Sequence, residues 1–556
     1  MDQINRHKAS TDRRKGVIGY GLLLFFFLLP ALASERAMTD DQKARPDAGK
    51  IELRYADQII YNHFKNPDVQ IFVGNVCFYH NGLLLYCDSA NYYQTSNSFK
   101  AFGKVKMLQG DTLSLHSEYL FYDGDSQIAQ ARHKVVLKHR DTELFTDSLN
   151  YDRVYHLGYF FEGGKLIDEG NVLTSDWGQY NTSDKEALFN YHVQLERPDM
   201  VLTSDTMYYD TQTKVTHLLG PSNVVSGDSR IYTEDGYYNT VTKHVLLLNR
   251  SVIVNKDQQM VADSLVYDQL TGEAHAYWNI VYNDKANKNI LLGDYCYHND
   301  STGFTIAYDK AEVRNYSEKD TLYLHADTFK IYTYYPKTDS VYRVLHGYYH
   351  TRSFRTDMQT VADTMSYNSR SQILSLFGNP VVWNESRQIL GEEIYAHMND
   401  STIDSIRVVN QALMVEELDT VYYNQISGKE MRYYFKDGAL VENKVINNVE
   451  IIYYAYDEDS LMIGMNHTET GLARMFMEDK KASKIWTNQA TGTFYPLAFV
   501  SKDKMFLKNF VWFDYMRPRD KDDIFVWRSK AAGTELKRTP RREVPLQNLK
   551  ELKAKK

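Results

Sequence analysis

The same short phrase returns every 29 residues along much of this chain. An acidic residue is followed four positions later by Tyr, and that Tyr is usually followed by Asp or Asn. The regular stretch has its acidic residues at Glu118, Asp147, Asp176, Asp205, Glu234 and Asp263. A fixed period of this size indicates one small structural unit stacked many times. We therefore expect a fold that grows along one axis without a single large core.

Looser copies of the phrase flank the regular stretch. Their acidic residues are Asp57, Asp88, Asp294, Asp327, Asp363, Glu393 and Glu430. The position four residues later is Tyr in some copies, but it is His298, Ile331 or His397 in others. The spacing widens to 36 residues between Asp327 and Asp363, and we expect the additional residues to form loops.

Each copy is predicted to contain two β-strands. In one copy the first strand is Met260 to Tyr267, the turn is Asp268 to Gly272, and the second strand is Glu273 to Tyr282. No segment shows sustained apolar spacing of 3.6 residues, so we expect little helix. The sequence therefore predicts an all-β fold of two facing antiparallel sheets. The alternative is a parallel β-helix.

Alternate residues of a strand share one face. Asp263, Leu265 and Tyr267 are therefore predicted to lie together on one face. Stacking the copies would align them into an acidic, an apolar and an aromatic column. The opposite face is mixed, with Ser264 beside Val266.

The sequence contains no recognisable catalytic motif. It lacks a nucleophile elbow, a His-Glu-x-x-His pair, a P-loop and a dinucleotide fingerprint. An acidic residue in every copy is typical of a scaffold, and we expect it to bond a neighbouring turn or copy. We predict no enzyme activity, no cofactor and no metal. The mixed-charge run 514–523 is interpreted as a solvated, self-neutralising loop, with a cation or partner site as the alternative.

The termini differ from the body of the chain in charge. Residues 1–33 resemble a secretory signal peptide, an uncleaved anchor being the alternative. They carry a net charge of +3 and residues 528–556 carry +7, so the total of −8 leaves about −18 on residues 34–527. A body that acidic is a poor binder of nucleic acid. We predict a linker at 34–50, repeats at 51–440, a β-rich region at 441–527 and a disordered basic tail at 528–556.

The two cysteines near the start of the repeats flank a predicted hairpin turn, Asn81-Gly82. A two-residue turn places Cys77 opposite Tyr86 and directs the two sulfur atoms to opposite faces. A three-residue turn would place the cysteines opposite each other. The sequence leaves both arrangements, and therefore the presence of a disulfide, open.

The repeated unit resembles the organic-solvent-tolerance (OstA-like) family, which includes periplasmic lipopolysaccharide-transport proteins. The closest matches to the family phrase are the runs Ala262 to Asp268 and Ala362 to Asn368. The resemblance covers roughly residues 51–440. The run from Trp512 to Asp523 is similar to the tail of the long form in Bacteroidetes-type bacteria.

The resemblance implies an elongated β-jellyroll in the periplasm whose open groove holds the acyl chains of lipopolysaccharide. It also implies edge-to-edge pairing with other β-jellyroll transport proteins. The candidate groove residues are Leu120, Tyr122, Leu149, Tyr151, Met207, Tyr209, Leu265, Tyr267, Met365 and Tyr367. The chain has more copies than the short family members and lacks the barrel strands of the translocon. The alternative function is a β-solenoid adhesin or glycan-binding protein.

Overall fold

The computed structural model describes residues 49–61, 64, 67–336, 338–399, 403–437, 439–459, 461–478, 481–534 and 536. These residues belong to one compact unit that begins at Ala48. They form 38 β-strands and four three-residue 3₁₀-helices, and no α-helix occurs in this part of the chain. The predicted all-β fold is therefore confirmed. The predicted signal peptide, most of the linker and most of the basic tail lie outside the described residues.

The strands vary from four to 18 residues in length. In the first half of the chain they are β1 Glu52–Tyr55, β2 Gln58–Tyr61, β3 Val69–His80, β4 Leu83–Tyr93, β5 Ser98–Gln109, β6 Leu113–Asp123, β7 Ile128–His139, β8 Thr142–Asp152, β9 Leu157–Phe160, β10 Gly164–Asp168, β11 Asn171–Ser175, β12 Trp177–Asn181, β13 Glu186–Arg197, β14 Met200–Asp210, β15 Val215–Ser226, β16 Ser229–Asn239, β17 His244–Leu248, β18 Ser251–Asn255 and β19 Gln258–Ala262.

The remaining strands and the 3₁₀-helices follow in chain order. They are β20 Ser264–Asp268, β21 Glu273–Asp284, β22 Asn289–Asn299, β23 Phe304–Tyr308, β24 Glu312–Asn315, β25 Leu322–His325, β26 Thr328–Tyr334, β27 Tyr342–Arg355, β28 Met358–Asn368, β29 Ile373–Phe377, β30 Val381–Asn384, β31 Arg387–Leu390, β32 Glu393–Met398, β33 Ile403–Glu417, β34 Tyr423–Lys436, β35 Ala439–Tyr456, β36 Met462–Glu478, β37 Lys481–Asn488 and β38 Thr491–Pro496, then η1 Leu497–Phe499, η2 Lys502–Lys504, η3 Asp514–Met516 and η4 Asp523–Phe525.

The pairings between described strands are antiparallel, as in β20 with β21 and β21 with β22. The parallel β-helix alternative is therefore wrong, and so is the β-solenoid architecture of the adhesin alternative. The predicted hairpin from Met260 to Tyr282 matches β19, β20 and β21. Cys77 pairs with Tyr86 and Val76 with Cys87, as the two-residue turn predicts, and both cysteines are free thiols.

The hairpin turns are closed by the Asp or Asn that follows the repeated Tyr. The Oδ1 atom of Asp210 accepts the backbone N–H groups of Gln212 at 2.7 Å and Thr213 at 3.0 Å. The equivalent side chains of Asn239 and Asp268 do the same for the next two turns. Such Asx turns are a common means of reversing a chain. The last position of the repeated phrase is therefore a turn residue.

Most long strands bend once, near the middle. At the bend two consecutive residues adopt left-handed backbone, for example Gly74 with φ 80° and Asn75 with φ 46°. The strand register slips at the same point, between Val73 and Val76, which defines a β-bulge. Each long strand thus contributes one half to each of two walls.

We call the two walls wall A and wall B. Wall A contains the half-strands 76–80 and 83–87 and the segments paired in register with them. Wall B contains the half-strands 69–73 and 89–93 and the segments paired with those. The buried apolar side chains of both walls form one continuous cluster between them. The core is therefore a long layer enclosed by two walls that are joined at the bends.

Residues after η2 cover part of the outer face of wall A. The segment 505–527, which we call the strap, packs Leu507, Phe513 and Met516 against Trp383, Val415 and their neighbours. Gln425 donates to the carbonyl of Met505 and accepts from the N–H of Leu507, while Gln388 does the same for Val511 and Phe513. The buried glutamine amides therefore act like backbone groups of a neighbouring strand.

The strap corrects the interpretation of residues 514–523 as a solvated loop for residues 516–518, whereas residues 519–522 are exposed as expected. Arg519 does pair with Asp514, as a self-neutralising segment requires. However, Met516 and Ile524 are buried, and the Nε atom of Arg517 donates to Oε1 of Gln359 at 2.7 Å. The segment is docked on the wall because its apolar residues alternate with the charged ones.

Candidate functional site

The recurring acidic residue lies at the bends, beside the left-handed residues of the bulges. Asp263 accepts from Nη1 of Arg250 at 3.0 Å and from Nδ2 of Asn279 at 2.5 Å. The Oδ1 atom of Asp294 accepts the backbone N–H of Asn279 at 3.3 Å. Non-Gly residues pay about 1–3 kcal/mol for left-handed backbone, and these bonds help to offset that cost. The expected structural role of the acidic residue, bonding a neighbouring copy, is what the structure shows.

We predicted that Asp263, Leu265 and Tyr267 share one face of the strand, and this is wrong for Asp263. Asp263 lies between β19 and β20 and is partly exposed at the bend, whereas Leu265 is 3% exposed in the interior. The reason is the bend, which turns the strand direction between the acidic residue and the Leu. The interior therefore has apolar and aromatic columns but no acidic one.

The ten predicted groove residues all lie in the interior of wall B, where they form two rows. One row is formed by the apolar position between the acidic residue and the Tyr of the repeated phrase. It runs through paired positions such as Leu120–Ala131–Leu149 and Phe189–Met207–Leu218. Gly178 interrupts this row because a Cβ atom there would lie 2.6 Å from the ring of Phe160. Leu120, Leu149 and Met207 are fully enclosed, and Leu265 and Met365 are nearly so.

The tyrosine row alternates large and small side chains from strand to strand. Tyr151 is flanked by Ala129 and Gly158, and Tyr209 by Ala187 and Thr216. The small neighbours leave space for the rings to extend across the interior. Tyr122, Tyr151 and Tyr209 are enclosed, whereas Tyr267 and Tyr367 are half-buried.

A third apolar row lies on wall A and was missed by the sequence analysis. Its paired members include Leu137–Leu144–Leu166–Leu173, then Leu195–Leu202–Val224–Ile231, then Ile253–Met260–Tyr282–Leu291. A signal for it was present. An apolar residue stands three positions before most of the repeated acids, as Leu144 does before Asp147 and Met260 before Asp263. This row faces the wall B rows across the interior.

Several tyrosine hydroxyl groups reach across the interior to the far edge of wall A. The hydroxyl of Tyr209 donates to Oδ2 of Asp168 at 2.6 Å. The hydroxyl of Tyr180 lies 3.0 Å from Nδ1 of His139, and that of Tyr122 lies 2.8 Å from Nδ1 of His80. We call these three contacts the tyrosine latches. They close the long side of the interior that lies opposite the bends.

Charged groups support the latches. Lys214, in a wall B turn, pairs with the buried carboxylate of Asp168 at 2.7 Å. Arg153 donates to the hydroxyl of Tyr122 at 2.8 Å and to the carbonyl of Asn81 at 3.0 Å. Burial raises the pKa of Tyr122, Tyr180 and Tyr209 and lowers the pKa of His139. The latch hydroxyls therefore stay protonated and keep their hydrogen-bonding capacity at neutral pH.

A shallow depression of about 460 Å³ lies at the bends, lined by Lys134, Phe145, Asp147, Lys165 and neighbours. None of the ten predicted groove residues lines it.

Within the described ranges, no group of three His, Cys, Asp or Glu side chains is arranged to hold a metal ion. A membrane-crossing helix is likewise not found among them.

The fold and its interior define a class of protein: an antiparallel β-scaffold of stacked hairpins that encloses a continuous apolar layer. Residues 48–205 match the family model described as OstA-like protein. This part of the chain is therefore similar to OstA-like proteins, as the resemblance seen in the sequence predicted. No curated protein matches the chain.

Solved structures with detectable similarity include that of LptH, the LptA homologous periplasmic component of the conserved lipopolysaccharide transport device from Pseudomonas aeruginosa. The match has 16% sequence identity and a TM-score of 0.17. It covers 18% of this chain and 75% of that one.

Proposed function

We propose that this protein is a non-enzymatic periplasmic scaffold that binds lipopolysaccharide and passes it toward the outer membrane. The acyl chains of lipid A lie in the interior between wall A and wall B. The observation that carries the proposal is the wall A row, which stays apolar through successive strands from Leu53 to Leu324. The similarity of residues 48–205 to OstA-like proteins supports it.

The physical case rests on burial of hydrocarbon. Each methylene group removed from water contributes about 0.8 kcal/mol. A row that repeats similar apolar side chains at each strand, about 4.8 Å apart, offers many positions of similar affinity. Such a surface suits the movement of a chain along it better than tight binding at one point.

The partners proposed for the scaffold are other β-jellyroll transport proteins, joined by strand pairing at the sheet edges. At one end β1 and β2 both pair with β3, and at the other end β37 and β38 both pair with β36. Ile59 and Ile60 of β2 are exposed, as is Phe494 of β38. Open edges with apolar side chains are competent to receive a strand from another chain.

The proposal is tested by photocrosslinking in cells. A photoreactive amino acid at Leu265 or Met365, which face the interior, is expected to label lipopolysaccharide. The matched controls are Ser264 and Ser366, which lie next to them on the opposite face of the same strands. Labelling from the serine positions alone would contradict the proposal.

A second candidate function, glycan binding, is favoured by the outer face of wall B. His217 stacks on Tyr237 with ring centroids 4.0 Å apart, and Tyr295 stacks on Tyr308 at 4.5 Å. Trp278, at the adjacent bend, is 60% exposed, and its ring centroid lies 5.8 Å from that of Tyr277. A glycan-binding protein would use this face and leave the interior empty, so interior labelling decides between the two functions.

A further inference from the structure

The interior changes in exposure partway along the wall A row. Leu195 and Leu202 are completely enclosed. The next members of the same row, Val224, Ile231, Ile253, Met260 and Tyr282, are only partly buried. Val313 is also partly buried, whereas Leu291 between Tyr282 and Val313 is 6% exposed. We call the segment formed by the six partly buried residues the window. The row is continuous in register, so the change in exposure does not come from a change of face.

The tyrosines beside the window have different partners from those of the latches. The hydroxyl of Tyr238 accepts from Nζ of Lys243 at 3.3 Å, and that of Tyr267 donates to Asp300 at 3.2 Å. Lys243 and Asp300 both belong to turns of wall B, the same wall as the tyrosines. Neither hydroxyl bond reaches wall A directly, in contrast to Tyr209 with Asp168. The walls are joined here by ion pairs at the turns, namely Lys243 with Asp199 at 3.3 Å and Arg343 with Asp284 at 3.7 Å.

Two polar residues interrupt the wall A row beyond the window. Beyond Leu324 the paired positions are Ser353 and Thr360. Both are buried, and their hydroxyl oxygens lie 2.7 Å apart. A hydroxyl pair bonded to itself presents less apolar surface than the leucines before it, so the apolar row stops being continuous here.

The chemistry of the window favours hydrocarbon over peptide as its occupant. The window strands each have paired neighbours on both sides, so their backbone groups are satisfied within the walls. A peptide lying in the window would leave its own N–H and C=O groups without partners, which is costly. An acyl chain carries no such groups. It also continues the contacts that the enclosed part of the same row already makes.

We infer that acyl chains enter and leave the interior sideways at the window, between Val224 and Val313, while the tyrosine latches close the long side of residues 72–210. This inference rests on the proposed function and adds to it the place of loading. An acyl chain that enters at the window reaches the latched part by moving along the row, or after the latches open.

The test uses the full chain with a photoreactive amino acid at one of four row positions, incubated with purified lipopolysaccharide. Met260 and Ile253 report on the window, and Leu195 and Leu202 report on the latched part. We expect labelling at the window positions to be several-fold stronger. Equal labelling at all four positions would overturn the inference, and so would stronger labelling at Leu195 and Leu202.

A latch variant extends the test. Combining Tyr209→Phe with Asp168→Asn removes the bond between the walls, and we expect labelling at Leu202 to rise to the level at Met260. The matched control is Tyr297→Phe, because that hydroxyl bonds Glu273 on the outer face of wall B at 3.2 Å. If the latch variant does not fold, the comparison of labelling between window and latched positions in the chain without latch substitutions still tests the inference. If lipopolysaccharide binds nowhere on the chain, the proposed function fails. If it binds without a preference for the window, only the inference fails.

Discussion

At the scale of single residues, each member of the repeated phrase has a distinct structural task. The acidic residue bonds the bulge, the Tyr fills the interior, and the following Asp or Asn closes the turn. The sequence pointed to the first task because an active site needs one constellation and not a copy in every repeat. It did not reveal the tyrosine latches, since Tyr180 and His139 are distant in sequence and meet only when the walls face each other.

Removing the carboxylate of one recurring acidic residue should destabilise the bend at which it lies. Asp263→Ala leaves the guanidinium of Arg250 and the amide of Asn279 without their carboxylate partner. We expect a loss of about 1–2 kcal/mol in unfolding free energy, at the lower end for charged hydrogen bonds because Asp263 is partly exposed. Urea unfolding and amide exchange at Asn279 measure the effect. Asp257→Ala, in an exposed turn, is the control. An equal loss of unfolding free energy in both variants would refute the proposed role of Asp263 at the bend.

At the scale of elements, the regular copies were predictable and the later ones only in part. His298 and Ile331 occupy the tyrosine row, as their positions in the phrase predict. In the last copies the row instead contains Ala396 and Tyr433, one residue before the predicted His397 and Tyr434. Glu392, also one residue earlier, bonds the bulge at Asn410 and Gln411. A one-residue shift exchanges the faces of a strand, so sequence spacing alone fails once it varies.

The additional residues of the wide copies fall in loops, as expected. They separate β24 from β25 and β26 from β27, whereas the hairpin between β3 and β4 turns through Asn81-Gly82 alone.

The strap was not foreseen because it has neither strand periodicity nor helix periodicity. Its attachment depends on Gln388 and Gln425, which no local pattern distinguishes from surface glutamines.

The strap should detach when one of its glutamine contacts is removed. Gln388→Leu leaves the carbonyl of Val511 and the N–H of Phe513 unpaired in a buried site, which costs about 1–3 kcal/mol. We expect proteolysis within residues 505–527 to accelerate before the walls unfold. Gln269→Leu, in an exposed turn, serves as control. Unchanged protection of the strap in Gln388→Leu would show that apolar packing alone holds it.

At the scale of the whole molecule, the interior is one apolar layer whose first part is more fully enclosed than the part that follows it. From Phe78 to Leu202 the wall A row is enclosed, and between Val224 and Val313 it is partly open except at Leu291. The sequence predicted an apolar layer, yet it gave no sign of the difference, because the amino acids of the row are alike in both parts. The two parts differ in the partners of their tyrosine hydroxyls, which no local pattern in the sequence distinguishes. The division of the chain at residue 440 stays a prediction, as β35 pairs with β34 before it and β36 after it.

The central claim is that the interior holds lipid acyl chains. Native mass spectrometry of the full chain, purified from its own cells without detergent, tests it most directly. The account predicts species heavier than the protein by the mass of lipopolysaccharide, and loss of that mass when the interior residue Met260 is replaced by Asp. A single species at the mass of the protein alone, from cells that contain lipopolysaccharide, would contradict it.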